Sequence, residues 1–501
     1  MIDLTLGEIA GIVGGRLIGG DPSVAVTAAV EFDSRRIGPG GLFLALPGER
    51  VDGHDFVAGA LDAGAAAAIV AREVEGVAGA QIVVPPVDRR QTNAMALAAD
   101  LDGSGAAVLH ALGVLARASV DRLTAEHGLV VVGVTGSSGK TSTKDLIGAV
   151  LSAAGTVVAP PGSFNNEIGH PWTALRADAG TDFLVLELSA RAPGNIRELA
   201  AIAPPRIGVV LNVGTAHLGE FGSRETIAET KGELVEALPD AAHGGLAVLN
   251  ADDERVVAMS GRTAAEVVTV GHAASADVRA ENVTLDEQVR ASFRLVTPKG
   301  EADVALRVHG EHQVGNALAA AAVGLGCGMD VEQIAAALSG AKAASARRMD
   351  VRVTADGVTV INDSYNANPD SMRAALKSLA VIARSDGTPR RTWAVLGEMA
   401  ELGEDSITEH DLIGRFLVRL DVSQLIVVGA GRPQRALFQG AVQEGSWGSE
   451  AEHVHTIDEA TSILDARIQP GDIVLVKASA AVGLWSVAEH VLATRGEETF
   501  E

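Results

Sequence analysis

The run Gly136-Ser137-Ser138-Gly139-Lys140-Thr141-Ser142 carries the strongest chemistry in this chain. A turn of small residues lets successive backbone N–H groups converge on one anion, and the positive end of a following helix adds to their pull. Lys140 would neutralise terminal phosphates, and the Thr141 hydroxyl would reach Mg²⁺. Val134 stands where the eight-residue form of this pattern has its first glycine, leaving the shorter G-x-x-G-K-[ST] form. The context therefore carries the reading: an apolar strand, Leu129–Val134, enters the turn and a helix begins near Thr141. The chemistry is that of a polyphosphate, hence a nucleotide, site.

Three further residues could complete it. Phe183-Leu184-Val185-Leu186-Glu187 is an apolar strand ending in a carboxylate. At the C-terminal edge of a parallel sheet, where ligands bind, Glu187 would offer the oxygen that a hard cation takes. Taken alone it equally reads as an exposed strand end. Ile207–Leu211 leads in the same way to His217, which reads either as a structural histidine or as a ligand at the strand exit. Lys231 lies in the charge-rich segment Glu229-Thr230-Lys231-Gly232-Glu233 and by local pattern is a solvated surface lysine.

Elsewhere the polar clusters are ambiguous on their own. Asp363-Ser364-Tyr365-Asn366-Ala367-Asn368-Pro369 follows a strand and could be an Asx turn, yet it holds the chain's only tyrosine and several amide donors and acceptors. Asp33-Ser34-Arg35-Arg36 reads as a polar turn whose hydroxyl and guanidinium groups suit diphosphate oxygens.

These residues need a scaffold. The chain has 501 residues, 47% hydrophobic and 21% charged, with 40 Lys+Arg against 64 Asp+Glu and a net charge of −24. Such a composition belongs to a folded multi-domain protein, and its acidity argues against a nucleic-acid or anionic-membrane binder. The single cysteine, Cys327, excludes a disulfide framework and reads as a small core residue. No apolar run reaches a membrane-spanning length, and Met1-Ile2-Asp3-Leu4-Thr5 lacks a leader pattern, so a cytoplasmic protein is expected.

Short Val/Ile/Leu strands alternate with Ala/Leu helices almost throughout, which predicts an α/β fold with largely parallel sheets. Three domains are expected, at 1–107, 108–346 and 347–501. The first boundary follows a weakly structured Asp100–Gly105 patch and precedes a helix over Val108–Glu126. Period-2 alternation over 267–308 predicts a small antiparallel sub-sheet late in the second domain.

In order along the chain, G-S-S-G-K-T-S (136–142), N-N-E-I-G (165–169), E-L-S-A-R (187–191), T-A-H-L (215–218), T-K-G-E-L (230–234), N-A-L-A-A (316–320), R-R-M (347–349) and D-S-Y-N-A-N-P (363–369) resemble the Mur ligases. The resemblance runs from about residue 30 to about 480. It implies a UDP-substrate-binding first domain, a P-loop ATPase-type middle domain and a Rossmann-like third domain closing over ATP. It implies ATP-dependent amide ligation, in which a substrate carboxylate takes the γ-phosphoryl group and an amine displaces it. Two Mg²⁺ are implied, one served by Thr141 and Glu187 and one by His217 and Glu187, with Lys231 carbamylated beside them. By the same resemblance Asn316, Asp363 and Asn366 join residues 136–142 around ATP. Arg348 contacts the γ-phosphate on closure, with Arg347 as the competing candidate.

Ser34 and Arg35 then serve the UDP group; Asn165, Asn166, Ser189, Arg191, Tyr365 and Asn368 are expected along the remaining substrate. Residues 363–369 and Leu396–Gly403 resemble the branch of the family that joins D-alanyl-D-alanine to a UDP-N-acetylmuramoyl-tripeptide, and a monomer is expected. Another amide ligase of the fold, acting on folates or cyanophycin, fits residues 33–35 and 363–368 poorly. A P-loop switch would leave Asn165, Asn166 and His217 unexplained. Two departures stand out: Ala480 replaces a usual arginine, and Ser189 a usual glycine.

Overall fold

The computed structural model describes residues 1–48, 51–88, 97, 100, 102–215, 218–384, 387, 389–445, 448 and 450–496. Its strands fall into three main sheets, and the order of those sheets along the chain explains where the polar clusters meet.

The first sheet has five strands, in the order Arg16–Ile18, Gln81–Val83, Ala67–Val70, Leu42–Leu44 and Val30–Glu31. All pairs are parallel except that of Arg16–Ile18 with Gln81–Val83. Its inner face packs on the 24-residue helix Ser104–His127, whose Leu112, Leu115 and Leu123 belong to the same hydrophobic core as Val131 and Leu184 of the middle sheet. That helix starts four residues earlier than its apolar period indicates, so position 107/108 falls inside it. The Asp100–Gly105 patch is its start signal rather than a loose linker. Asp102 Oδ1 accepts from Ser104 N at 2.9 Å, Asp100 Oδ2 accepts from Ala106 N at 2.9 Å, and Gly103 takes the left-handed conformation at φ 81°. Carboxylates that satisfy first-turn N–H groups are what begins a helix.

The middle sheet has nine strands. From one edge they run Val157–Val158, Phe183–Glu187, Val130–Thr135, Ile207–Val210, Leu246–Asn250, Glu266–Gly271 and Val278–Leu285, all parallel, then the antiparallel Arg290–Thr297 and Gly300–His309. The antiparallel piece is thus continuous with the main sheet, since Val270 and Gly271 pair in parallel with Val278 and Arg279. Alternation in sequence marks half-buried strands but cannot say which neighbour they join. The Ala-rich helix Gln313–Gly326 covers one face, and Cys327 lies half-buried against the same core.

The third sheet runs Asp350–Val353, Thr359–Asn362, Ile473–Lys477, Thr392–Leu396, Gln424–Val428 and Ala451–Val454, parallel except for its first pair. Its two edge strands escape a hydrophobic reading because they carry Asp350, Arg352, Glu452 and His453. Edge strands tolerate charge because one side faces water.

The domains touch through specific contacts. Trp172 Nε1 donates to Val30 O at 2.8 Å, and the Trp172 ring meets Phe32 edge-on. Between the middle and third domains, Thr215 N donates to Asp370 Oδ2 at 3.2 Å, and Arg191 pairs with Glu401 at 2.8 Å. Among the described residues, no helix is long and apolar enough to cross a membrane.

Candidate active site

The central strands Val130–Thr135, Phe183–Glu187 and Ile207–Val210 are adjacent and parallel, so their C-terminal ends deliver Gly136, Glu187 and Asn212 to one sheet edge. Gly139, at φ 82°, turns the chain into the helix Lys140–Leu151. A side chain at Gly139 would also meet Asn316 Oδ1 at 2.8 Å. Position 139 therefore needs glycine twice over, for conformation and for space.

The phosphate loop is braced by a residue whose role the sequence did not single out. Asn212 Oδ1 accepts from both Ser137 N and Ser138 N at 3.0 Å, and its amide donates to Ser138 O at 3.2 Å. The only signal for it was its place two residues past a strand beside the loop. Asn316, on the helix Gln313–Gly326, accepts from Thr143 Oγ1 at 3.0 Å and so abuts the loop from the other side.

Glu187 is fully buried. Its Oε2 accepts from Thr141 Oγ1 at 3.2 Å, Ser163 Oγ at 3.2 Å and Asn165 Nδ2 at 3.3 Å, whereas Oε1 has no hydrogen-bond partner. A buried carboxylate oxygen left bare is costly, so the arrangement suits an added positive ligand. His170 packs behind it, its Nδ1 3.3 Å from the Glu187 carbonyl, and burial pushes its pKa down to about 4, so the ring is neutral.

Lys140 Nζ donates to Gly136 O at 2.7 Å, and burial holds its ammonium below the ordinary lysine range. Lys231 departs from its local pattern. It lies on the helix Arg224–Glu236 and is only 6% exposed: Glu229 and Glu236 face outward, whereas Lys231 and Glu233 turn inward, Glu233 accepting from Gly194 N at 2.7 Å. Burial, and then the nearby Lys140 charge, lower its pKa well below the usual value. A lysine so placed can be a neutral amine at physiological pH. His217 lies outside the described residues.

A cleft of ≈ 680 Å³ opens over this edge and is closed on its far side by the third domain. Ser137, Ser138, Gly139, Lys140, Thr141, Ser142, Asn165, Ser189, Arg191 and Asn316 line it from the middle domain. Arg348, Asp363, Tyr365, Asn366 and Asn368 line it from the third. The arginine doublet separates cleanly. Arg348 faces the cleft with its guanidinium 4.2 Å from the Tyr365 ring and its Nε buried without a partner. Arg347 turns away onto Trp485, 4.0 Å from the ring, and pairs with Glu489.

The Asp363–Asn368 loop is held from below. Lys477 Nζ reaches Asp363 Oδ2 at 2.6 Å and Asn366 O at 2.9 Å, while Asp363 Oδ1 accepts from Met349 N at 3.0 Å. Asn368 Oδ1 accepts from Ser371 N at 2.9 Å and caps the helix Pro369–Ile382. The segment with the unusual alanine thus keeps its lysine as a clamp, and Ala480 itself lines the cleft.

Other expected site residues lie apart from the cleft. Asn166 Oδ1 accepts from Gly169 N at 2.9 Å at the start of the helix Gly169–Ala174. Ser34 and Arg35 sit on the first-domain turn, where Arg35 is satisfied locally by Asp33 at 2.9 and 2.8 Å.

Comparison with known proteins agrees with this architecture. The Mur ligase middle domain profile matches residues 134–324, the Mur ligase glutamate ligase domain 347–480, and the Mur ligase family catalytic domain 27–118. The chain is 58% identical, over 98% of both sequences, to the UDP-N-acetylmuramoyl-tripeptide–D-alanyl-D-alanine ligase of Mycobacterium tuberculosis (strain ATCC 25618 / H37Rv). It is 34% identical to the protein of the same name from Escherichia coli (strain K12), over 86% of each. Among solved structures, MurF from Acinetobacter baumannii superposes with a TM-score of 0.82 at 29% identity, covering 98% of this chain and 99% of the other. MurF ligase from Thermotoga maritima in complex with ADP gives 0.75 at 28% identity, covering 94% and 99%. The chain belongs to the Mur ligase family.

Proposed function

We propose that this chain joins D-alanyl-D-alanine to UDP-N-acetylmuramoyl-tripeptide at the expense of ATP, as a cytoplasmic monomer in peptidoglycan precursor synthesis. The observation that carries the reading is the meeting of the phosphate loop and Arg348 in one cleft between two domains, with the bare oxygen of Glu187 buried beneath the loop's Thr141. The near-full-length identity to ligases of that name supports the choice of substrates.

The reaction sets two anions against each other. The tripeptide's terminal carboxylate attacks the γ-phosphorus, the bond to the bridging oxygen breaks and ADP leaves. The D-Ala-D-Ala amine then attacks the acyl carbon of the mixed anhydride, loses a proton and expels phosphate. Loop amides and Lys140 hold the triphosphate, and Arg348 approaches the transferring phosphoryl from the third domain. Preorganised cations in a water-poor cleft are the main source of rate in such transfers. Asn316, Asp363 and Asn366 surround the rest of the nucleotide. Ser189, Arg191, Tyr365 and Asn368 border the incoming peptide, with Asn165 bracing Glu187 beside it. Asn166 shapes the adjoining turn, and Ser34 with Arg35 receives the UDP group.

The donor set suits Mg²⁺: a buried carboxylate oxygen without a partner, a hydroxyl beside its twin, and no soft ligand. Thr141 and Glu187 would hold one ion, and Glu187 with His217 a second. Bound there, Mg²⁺ supplies charge neutralisation to the triphosphate. Lys231, buried and with its pKa lowered by desolvation, is placed for carbamylation, which favours a deprotonated amine, and the resulting carbamate would face the same site.

Phosphate release tests the reading. It should require ATP, UDP-N-acetylmuramoyl-tripeptide and D-Ala-D-Ala together, with the pentapeptide product identified by mass. Release without either acceptor would refute it.

A further inference from the structure

One turn past Lys140 on the same helix lies a charged pair, Lys144 buried and Asp145 half-buried, that the reaction does not touch. Lys144 is 2% exposed. An ammonium has three N–H donors, and here three acceptors meet them. Pro160 O lies at 2.7 Å, Gly162 O at 3.3 Å and the Asp145 carboxylate at 2.6 Å. Asp145 Oδ2 in turn accepts from Ser345 N at 3.1 Å. Neighbouring helix positions point in different directions, so pairing Lys144 with Asp145 commits both side chains to one spot.

The three segments gathered there are not arbitrary. Residues 160–162 lead directly into Ser163 and Asn165, whose side chains hold Glu187 Oε2. Ser345 lies in the link between the middle and third domains, three residues before Arg348. The third segment is the phosphate-loop helix itself. Stability alone could be served by apolar packing at less desolvation cost than burying the Lys144 ammonium. We infer that Lys144 and Asp145 form a positioning node, which sets from the phosphate-loop helix both the loop that orients Glu187 and the link that carries Arg348.

The inference rests on the ligase reading above, and the test separates the two. Full-length wild type, Asp145→Asn, Lys144→Arg and Lys144→Met are assayed with ATP, UDP-N-acetylmuramoyl-tripeptide and D-Ala-D-Ala, alongside hydrogen–deuterium exchange and thermal melts. Asp145→Asn keeps the shape and should lower kcat about tenfold while leaving the KM for ATP within about twofold. Exchange should rise in 342–349 for Asp145→Asn and in 160–165 for Lys144→Met. Lys144→Arg, which keeps the charge, should recover most of the rate lost in Lys144→Met. Because Asp145 acts through Arg348, Asp145→Asn should cost little further rate in an Arg348→Ala background. An unchanged kcat in Asp145→Asn, or losses that simply multiply in the double variant, would overturn the node. If wild type forms no pentapeptide, the ligase reading fails instead, and the exchange pattern alone decides whether the node links the two segments.

Discussion

The cleft and the first-domain turn both carry cations of a kind that suits phosphate, but they hold them oppositely. On the turn, Arg35 has a side chain 86% exposed and already carries a bidentate partner in Asp33, whose carboxyl it pulls down to about 2. At the cleft, half-buried Lys140 lines the wall and Lys231 and Glu187 are buried behind it; both lysines have depressed pKa values, and Glu187 Oε1 and Arg348 Nε have no hydrogen-bond partner. A satisfied, solvated charge can trade partners to bind a ligand but has little left to give a transition state. A desolvated charge held ready gains most when opposite charge develops beside it. On the proposed reading, the difference gives binding to the turn and rate to the cleft.

That assignment can be broken in graded steps. Lys140→Met should cost the most, about 10³-fold in kcat, measured by coupled ADP release. Lys231→Ala should follow at about 10²-fold, with activity partly returned by a short added carboxylate such as formate. No loss on substitution would remove Lys231 from the site. Arg348→Ala should lower kcat by about 10²-fold, whereas Arg347→Ala should leave turnover within about threefold and cost only the Trp485 stacking, about 0.5–1 kcal/mol in chemical denaturation. Equal effects of the two would erase the distinction between them. Arg35→Ala should act least, raising the KM for the UDP-substrate about tenfold at unchanged kcat. A fall in kcat there would contradict the contrast between turn and cleft.

Much of the cleft was legible because its chemistry depends on local order. The 136–142 loop, Glu187 at its strand end and the Asp363–Asn368 loop are each contiguous with a strand that an apolar run reveals. What escaped depends on packing across the sheet. Asn212 acts through its adjacency to Ser137 and Ser138, which the parallel pairing creates. Lys477 works 114 residues from Asp363. Lys231 sits in a polar segment whose helix turns it inward, so its local charge pattern pointed the wrong way. The separation of Arg347 from Arg348 came from opposite side-chain directions, which a doublet in sequence cannot tell apart. The Asp100–Gly105 patch looked like a linker because helix caps and loops draw on the same small polar residues.

In the proposed reaction the peptide carboxylate, not water, takes the γ-phosphoryl group in this cleft. UDP-N-acetylmuramoyl-tripeptide labelled with ¹⁸O in its terminal carboxylate, turned over with ATP and D-Ala-D-Ala, tests it most directly by the mass of the phosphate released. One ¹⁸O carried into each phosphate is the predicted result; phosphate free of the label would contradict it.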